Sequence, residues 1–375
     1  MDKVVIYIIG IFFLIGGIDY LLGSPMKLGN KFEEGMKTMG ALALGIIGLY
    51  SLSPALLSLL EPAAKVFSKV THIDPSILPA SIFAVDMGGY QLCTNITLNN
   101  KIGIFSAVVI ASTLGTTISF TIPVACSLIQ KEDQDFFAKG IMIGISTIPF
   151  GCLAGGIWMG INFLQLVWTL FPIFILSIVL SIGLIKMPNR VINGFRYFGK
   201  FIMILSTLGI MLQGIHIIFG IKLVPTLVPF EDNMKLVGKI TFILAGAYPM
   251  LEVLIRFLKN FFNRIARILG VDSISIVALV GNLASNLLVF GNLSRMNSKG
   301  KVICTSMGVS CAFVLGGQMA YVASVEPKMI GAYFVTKIVS GILSLFLASR
   351  LFEYEYKKST QLSEVSVMGG ASYGD

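Results

Sequence analysis

Asp86 is the only charged residue between Asp74 and Lys101, in a stretch that is otherwise apolar or small. An acid at the centre of a transmembrane helix costs roughly 2.5–3.5 kcal/mol on insertion scales, so it faces a partner, a cavity or a substrate. Gly88 and Gly89 follow it closely, and Pro75 and Pro79 precede it. Such residues suit a helix that breaks at the charge and exposes backbone groups there. The chemistry implied is cation binding inside a bilayer. The competing reading is a structural acid that pairs with a lysine or caps a broken helix end.

Other polar residues in apolar surroundings suggest the rest of a site. Residues 281–286 carry Asn282, Ser285 and Asn286 but no charge. A carboxylate in one half of the chain and neutral hydrogen-bonding groups in the other suit a small ligand with one positive and one neutral polar end. The same asparagines also suit helix–helix hydrogen bonding. Thr117 and Gln318 stand beside glycines in corresponding spans, where they line a polar path or pack closely. Tyr248 precedes Pro249, which is expected to break its helix, and Tyr90 follows Asp86 by one turn. Either ring could cover an ammonium by a cation–π contact or simply hydrogen-bond a carbonyl. Glu252 and Arg256, four apart, read as a local ion pair. Asp19 reads as interfacial, and Lys337 as a snorkelling lysine or an internal cation.

These residues must be positioned by membrane helices. Of the 375 residues, 55% are hydrophobic and only 13% charged, against about a quarter charged in soluble domains. The mean hydropathy is +0.86. The apolar residues fall in runs of about twenty, the length that crosses a ~30 Å hydrocarbon core. The fold class expected is an all-α polytopic membrane protein of about eleven spans: 3–23, 36–60, 75–97, 101–129, 137–159, 162–186, 197–220, 235–258, 273–293, 301–325 and 329–351. Breaks or re-entrant turns are expected near Asp86 and Asn286. Pro62–Val70 and Phe257–Leu269 read as basic, interfacial stretches.

The halves repeat each other. Phe32-Glu-Glu-Gly-Met-Lys37 recurs as Phe230-Glu-Asp-Asn-Met-Lys235, and at the same offset Asp74 meets Asp272, Asn99 meets Asn297 and Lys139 meets Lys337. The organisation expected is a first repeat over 1–160, a linking span and loop over 161–196, a second repeat over 197–351, and a polar, disordered tail over 352–375. Internal repeats with a midplane site are characteristic of secondary transporters. Whether they are parallel or inverted is open.

The net charge of +9 lies in short loops between apolar runs, which fits topology and headgroup contacts and excludes nucleic acid as the expected partner. The five cysteines are scattered, and there are two histidines, so neither a metal site nor a cofactor is expected. Signatures of intramembrane or metal-dependent hydrolases are absent, and the chain does not read as an enzyme.

Phe32-Glu-Glu-Gly-Met36, residues 39–44, Val85-Asp-Met-Gly-Gly89, Thr147-Ile-Pro149, Gly151-Cys152, Ile192-Asn-Gly-Phe195, Gly246-Ala-Tyr-Pro-Met250 and residues 295–302 together resemble the ethanolamine-utilisation transporter family, EutH. The resemblance runs in order from the first span to the last. It implies a multi-pass protein of the bacterial inner membrane that takes up ethanolamine in its ammonium form. It also leads to an Asp-His pair in the tenth span, where this chain has Gly317-Gln318. A charged role there does not carry over, although Gln318 can hydrogen-bond a hydroxyl. The expected mechanism is facilitated diffusion by alternating access. The rivals are a channel-like pore and a non-transporting sensor or scaffold of the ethanolamine pathway. Oligomeric state is open, a homo-oligomer included.

Overall fold

A computed structural model describes residues 2–370, with side chains described over 4–354 except at 259 and 263. The described residues form helices and turns and contain no strand. Among the described residues seven helices are long and apolar enough to cross a membrane, and the pair Leu28–Tyr50 and Ser53–Thr71, bent by 45°, provides an eighth candidate. About eleven spans are expected from hydropathy. The difference lies in 75–97, 273–293 and 301–325, each of which is divided into shorter helices by a break.

The molecule is apolar outside as well as inside. Helices Asp2–Leu21, Phe163–Lys186 and Pro188–Phe219 leave Tyr7, Leu14, Trp168, Ile178, Phe201 and Ile218 exposed. Contiguous exposed apolar faces on helices of spanning length are what a bilayer covers. At the centre stands the span Asn100–Leu128, with 89% of an apolar 18-residue stretch buried, against 17% of the corresponding stretch of Pro188–Phe219 at the rim. Its middle, Ser106–Gly115 and Thr117–Thr121, is wound in wider π-helical turns, a distortion that often marks functional segments.

Small residues let the interior helices approach closely. Gln134–Trp158 packs most extensively on Ile330–Gly370 and on Ser298–Ser310. A methyl added at Gly144 would lie 2.7 Å from the Ser306 carbonyl oxygen, and Gly140, Gly151 and Gly155 abut Thr305, Ser340 and Thr336. The glycines of this helix are therefore packing residues, as membrane helices without a hydrophobic driving force between them require. Ile330–Gly370 extends into the stretch expected to be a disordered tail. Residues 371–375 and the side chains beyond 354 lie outside the described residues.

Asp19, expected at an interface, is buried at 3% exposure. Its carboxylate accepts from the N–H groups of Met26 (3.0 Å), Leu28 (2.8 Å) and Gly29 (2.7 Å). It thereby satisfies the open amides at the start of Leu28–Lys37 and fixes the turn between two helices. Asp74 and Asp272 act alike, each at a loop between two helices. Asp74 accepts from the N–H groups of Leu98 and Asn99, both at 3.0 Å, and Asp272 from Asn297 N–H at 2.6 Å. Asn99 and Asn297 then cap the helices that follow. Glu252 and Arg256 pair at 2.8 Å.

Pro249 does not break its helix, contrary to expectation. Phe230–Leu269 is continuous through it. The proline removes one N–H, which leaves the Ala245 carbonyl without its usual helical partner. Close packing on both sides holds the helix: a methyl on Gly35 would lie 2.6 Å from Ala245 Cα, and one on Gly16 would lie 2.9 Å from Pro249 Cγ. The basic stretch 257–269 is the end of this same helix.

Candidate functional site

Three interruptions of helical backbone meet in the interior. The first follows Ile77–Ile82. Phe83 and Ala84 are extended, Met87 leaves the helical region, and Gly88 has φ +83°. Only glycine adopts that conformation without strain. The second separates Ser273–Gly281 from Leu287–Gly291, and the third separates Ser298–Ser310 from Gly317–Val325.

Broken backbone at membrane depth leaves amides and carbonyls that no water satisfies, so they must be paired within the protein. The second and third breaks satisfy each other. Phe313 N–H donates to the Asn282 carbonyl at 3.1 Å, and Leu315 N–H to the Leu283 carbonyl at 2.7 Å. Gly316 sits where any side chain would strike the Ala284 carbonyl. At the first break Ala84 N–H donates to the Ser119 hydroxyl at 3.1 Å, and the Ala84 carbonyl accepts from Met87 and Gly89 N–H. Phe313 holds φ +62°, a left-handed conformation uncommon for a side chain of its size.

A cavity of about 780 Å³ lies between these breaks. Asp86, Tyr248, Ser285 and Gln318 are on its wall, together with Ser119 and Ser206. Exposed Arg196, Lys200 and Ser127 also line it and mark its outer end, whereas Gln318 is 3% exposed. The volume equals roughly 25 waters at about 30 Å³ each. It is far larger than a small amine, so recognition must come from polar groups on its wall.

Asp86 is half-buried and meets this space. Among the described residues its carboxylate has no ion-pair partner within 4 Å. A carboxylate at this depth, on a cavity wall and in no direct ion pair, is an acceptor for a cation, with the Lys337 charge near enough to act on it. Gln318 is held from behind. Its amide nitrogen donates to the Thr116 hydroxyl at 2.7 Å, and its oxygen accepts from Lys337 Nζ at 3.2 Å. Lys337, 2% exposed, also donates to the Ser112 carbonyl at 2.5 Å and lies 5.6 Å from the Tyr333 ring centre. It is an interior cation tied to neutral oxygens, so the snorkelling alternative does not hold.

The structure thus brings together four of the residues singled out from sequence and places four others elsewhere. Tyr90 is directed away from the cavity, and its hydroxyl donates to Glu326 at 3.3 Å. Asn282 donates to the carbonyls of Met307 (3.2 Å) and Cys311 (3.3 Å), and so ties the second break to the third. Asn286 donates to the Thr121 hydroxyl at 2.9 Å, and Thr117 donates to the Val309 carbonyl at 2.7 Å. These three stitch helices together. Sequence reasoning missed Ser119 and Ser206 on the cavity wall, and Glu326 and Tyr321 behind it. Glu326 sits just before Pro327 at a span end, where an acid reads as a loop residue.

No group of three or more His, Cys, Asp or Glu among the described residues could hold a metal ion.

The chain is 33% identical over 357 residues to a probable ethanolamine permease of Listeria monocytogenes, covering 94% of this chain and 96% of that protein. It is 30% identical over 399 residues to the Escherichia coli probable ethanolamine permease, covering 96% and 98%. The Bacillus subtilis protein YxeR is 35% identical over 349 residues, covering 93% and 94%. No solved structure matches significantly. The family model for the ethanolamine utilisation protein EutH matches residues 1–351, and the chain belongs to the EutH family.

Proposed function

We propose that this protein carries protonated ethanolamine across the bacterial inner membrane by facilitated diffusion. The observation that carries the reading is the uncommitted Asp86 carboxylate on the wall of an interior cavity that also presents Ser285, Tyr248 and Gln318. The printed names of the relatives, probable ethanolamine permeases, supply the substrate class.

The chemistry follows from the ligand. Ethanolamine near neutral pH is a primary ammonium with a hydroxyl two carbons away, and the cation does not cross hydrocarbon unaided. Asp86 would pair with the ammonium while the Tyr248 ring packs beside it. Gln318 has its oxygen committed to Lys337 and one amide hydrogen to Thr116. It therefore acts toward the substrate hydroxyl as a donor through its remaining N–H, and Ser285 can supply either role. The halves 1–160 and 197–351, related by the matched Asp74 and Asp272 loops, would rock about the site to alternate access.

Radiolabelled ethanolamine uptake into proteoliposomes tests the reading. Asp86→Asn, reconstituted to the same level, should lose saturable uptake. Uptake at the unaltered rate by this variant would overturn the assignment. Counterflow accelerated by substrate on the far side separates a carrier from a pore.

A further inference from the structure

Beyond the cavity, two segments continue side by side toward the opposite face of the protein. One runs from Asp86 through Tyr90 and Gln91 to the exposed Asn95, and the other from Gln318 through Tyr321 to Glu326 and the exposed Lys328. Asp86 and Gln318 both line the cavity. One turn further on, the segments close against each other. Gln91 and Tyr321 exchange hydrogen bonds at 2.8 and 3.2 Å, the Tyr90 and Tyr321 rings meet edge to face at 6.2 Å, and Tyr90 donates to Glu326 at 3.3 Å.

Glu326 stands out electrostatically. It directly follows Gly317–Val325, at the helix end where backbone carbonyls already concentrate negative charge and an acid is disfavoured. It is half-buried, and among the described residues no cation lies within 4 Å of it. Lys239 Nζ donates to the Ser324 carbonyl at this helix end, but the Glu326 carboxylate itself is in no direct ion pair, and beside Tyr90 it is arranged for a cation that comes and goes.

We infer that Glu326, with the rings of Tyr90 and Tyr321, forms a second binding station for a small primary ammonium, on the face opposite the cavity, and that the Gln91–Tyr321 contact closes the path between this station and Asp86. The inference rests on the transport reading above. With the latch open, the ammonium passes from Glu326 along the tyrosine faces to Asp86; with it closed, as here, only the cavity side reaches Asp86. No covalent step is involved.

The test compares Glu326→Gln with the unaltered full-length protein. The glutamine keeps an oxygen for the Tyr90 hydroxyl and removes only the charge. Saturable ethanolamine uptake into proteoliposomes gives KM, and titration calorimetry on the purified protein gives the affinity of the cavity site. The expected result is a KM raised tenfold or more, with the calorimetric affinity within threefold of the unaltered protein. A Glu326→Gln KM within twofold of the unaltered value, or a calorimetric affinity that falls as far as KM rises, would overturn the station. If Asp86→Asn loses uptake while Glu326→Gln keeps its KM, the station falls and the transport reading stands. Absence of saturable uptake by the unaltered protein would overturn both.

Discussion

Lys337 Nζ donates to the Gln318 side-chain oxygen at 3.2 Å, so a buried cation stands directly behind an amide on the cavity wall. That contact fixes the orientation of the amide, because an ammonium can only donate and the amide oxygen must turn toward it, while the nitrogen meets the Thr116 hydroxyl at 2.7 Å. One amide N–H is left over for a ligand.

Gln318→Leu should then weaken ethanolamine binding by about threefold to tenfold, the worth of one neutral hydrogen bond. Ethylamine, which lacks the hydroxyl, should bind both proteins equally. Calorimetry with the two amines checks this, and an equal loss for both would show that Gln318 does not read the hydroxyl.

Lys337→Met strips the Ser112 carbonyl and the Gln318 oxygen of their donor. A buried acceptor left unpaired costs about 1–3 kcal/mol, so the detergent-solubilised variant should unfold at a lower temperature. Removing a positive charge from behind the site should also tighten ammonium binding. A melting curve and a titration on one preparation separate the two effects.

Gly88→Ala should reduce uptake by altering the aim of Asp86. A methyl at Gly88 would lie 3.5 Å from the Leu49 carbonyl oxygen, an ordinary contact, so space is not the obstacle. The φ of +83° is the obstacle, costing an L-residue about 1–2 kcal/mol. Replacement by Asn, which tolerates left-handed backbone better, should retain more uptake than Ala. Equal uptake by the two variants would argue against a backbone effect.

Asp272 gives a pH dependence outside the spans. Burial pushes its carboxyl up, but hydrogen bonds from Ser275 and from Asn297 N–H more than offset this and hold it below the ordinary aspartate range. A group with a depressed folded pKa contributes stability above its unfolded value, about 3.9, and that contribution is lost as pH falls through the folded value. The melting temperature of the unaltered protein should therefore fall in that acidic window. Asp272→Asn should start lower and show a shallower decline, measured on both proteins in the same detergent.

The residues that break local rules were legible in the sequence. Asp86 announced itself as a lone charge followed by two glycines, and the asparagines near 286 as amides in an apolar run. Both stretches prove to be broken backbone. What single-residue patterns could not carry was orientation. Tyr90, one turn from Asp86, is directed to Glu326 and away from the cavity, a matter decided by the segment packed beside it. Pro249 looked like a break because proline removes a helical hydrogen bond, yet the glycines of two neighbouring helices press against that turn and keep it helical. Pairing between the breaks at 282–283 and 313–315 runs through backbone atoms, which leave no trace in side-chain identity.

The account turns on whether Asp86 holds the ammonium. Titration of purified, full-length protein with ethanolamine, beside Asp86→Asn at the same pH and salt, measures this directly. A hydrogen bond to a charged group is worth about 1.5–3 kcal/mol, so the variant should bind at least about tenfold more weakly. Binding by Asp86→Asn within twofold of the unaltered protein would contradict the account.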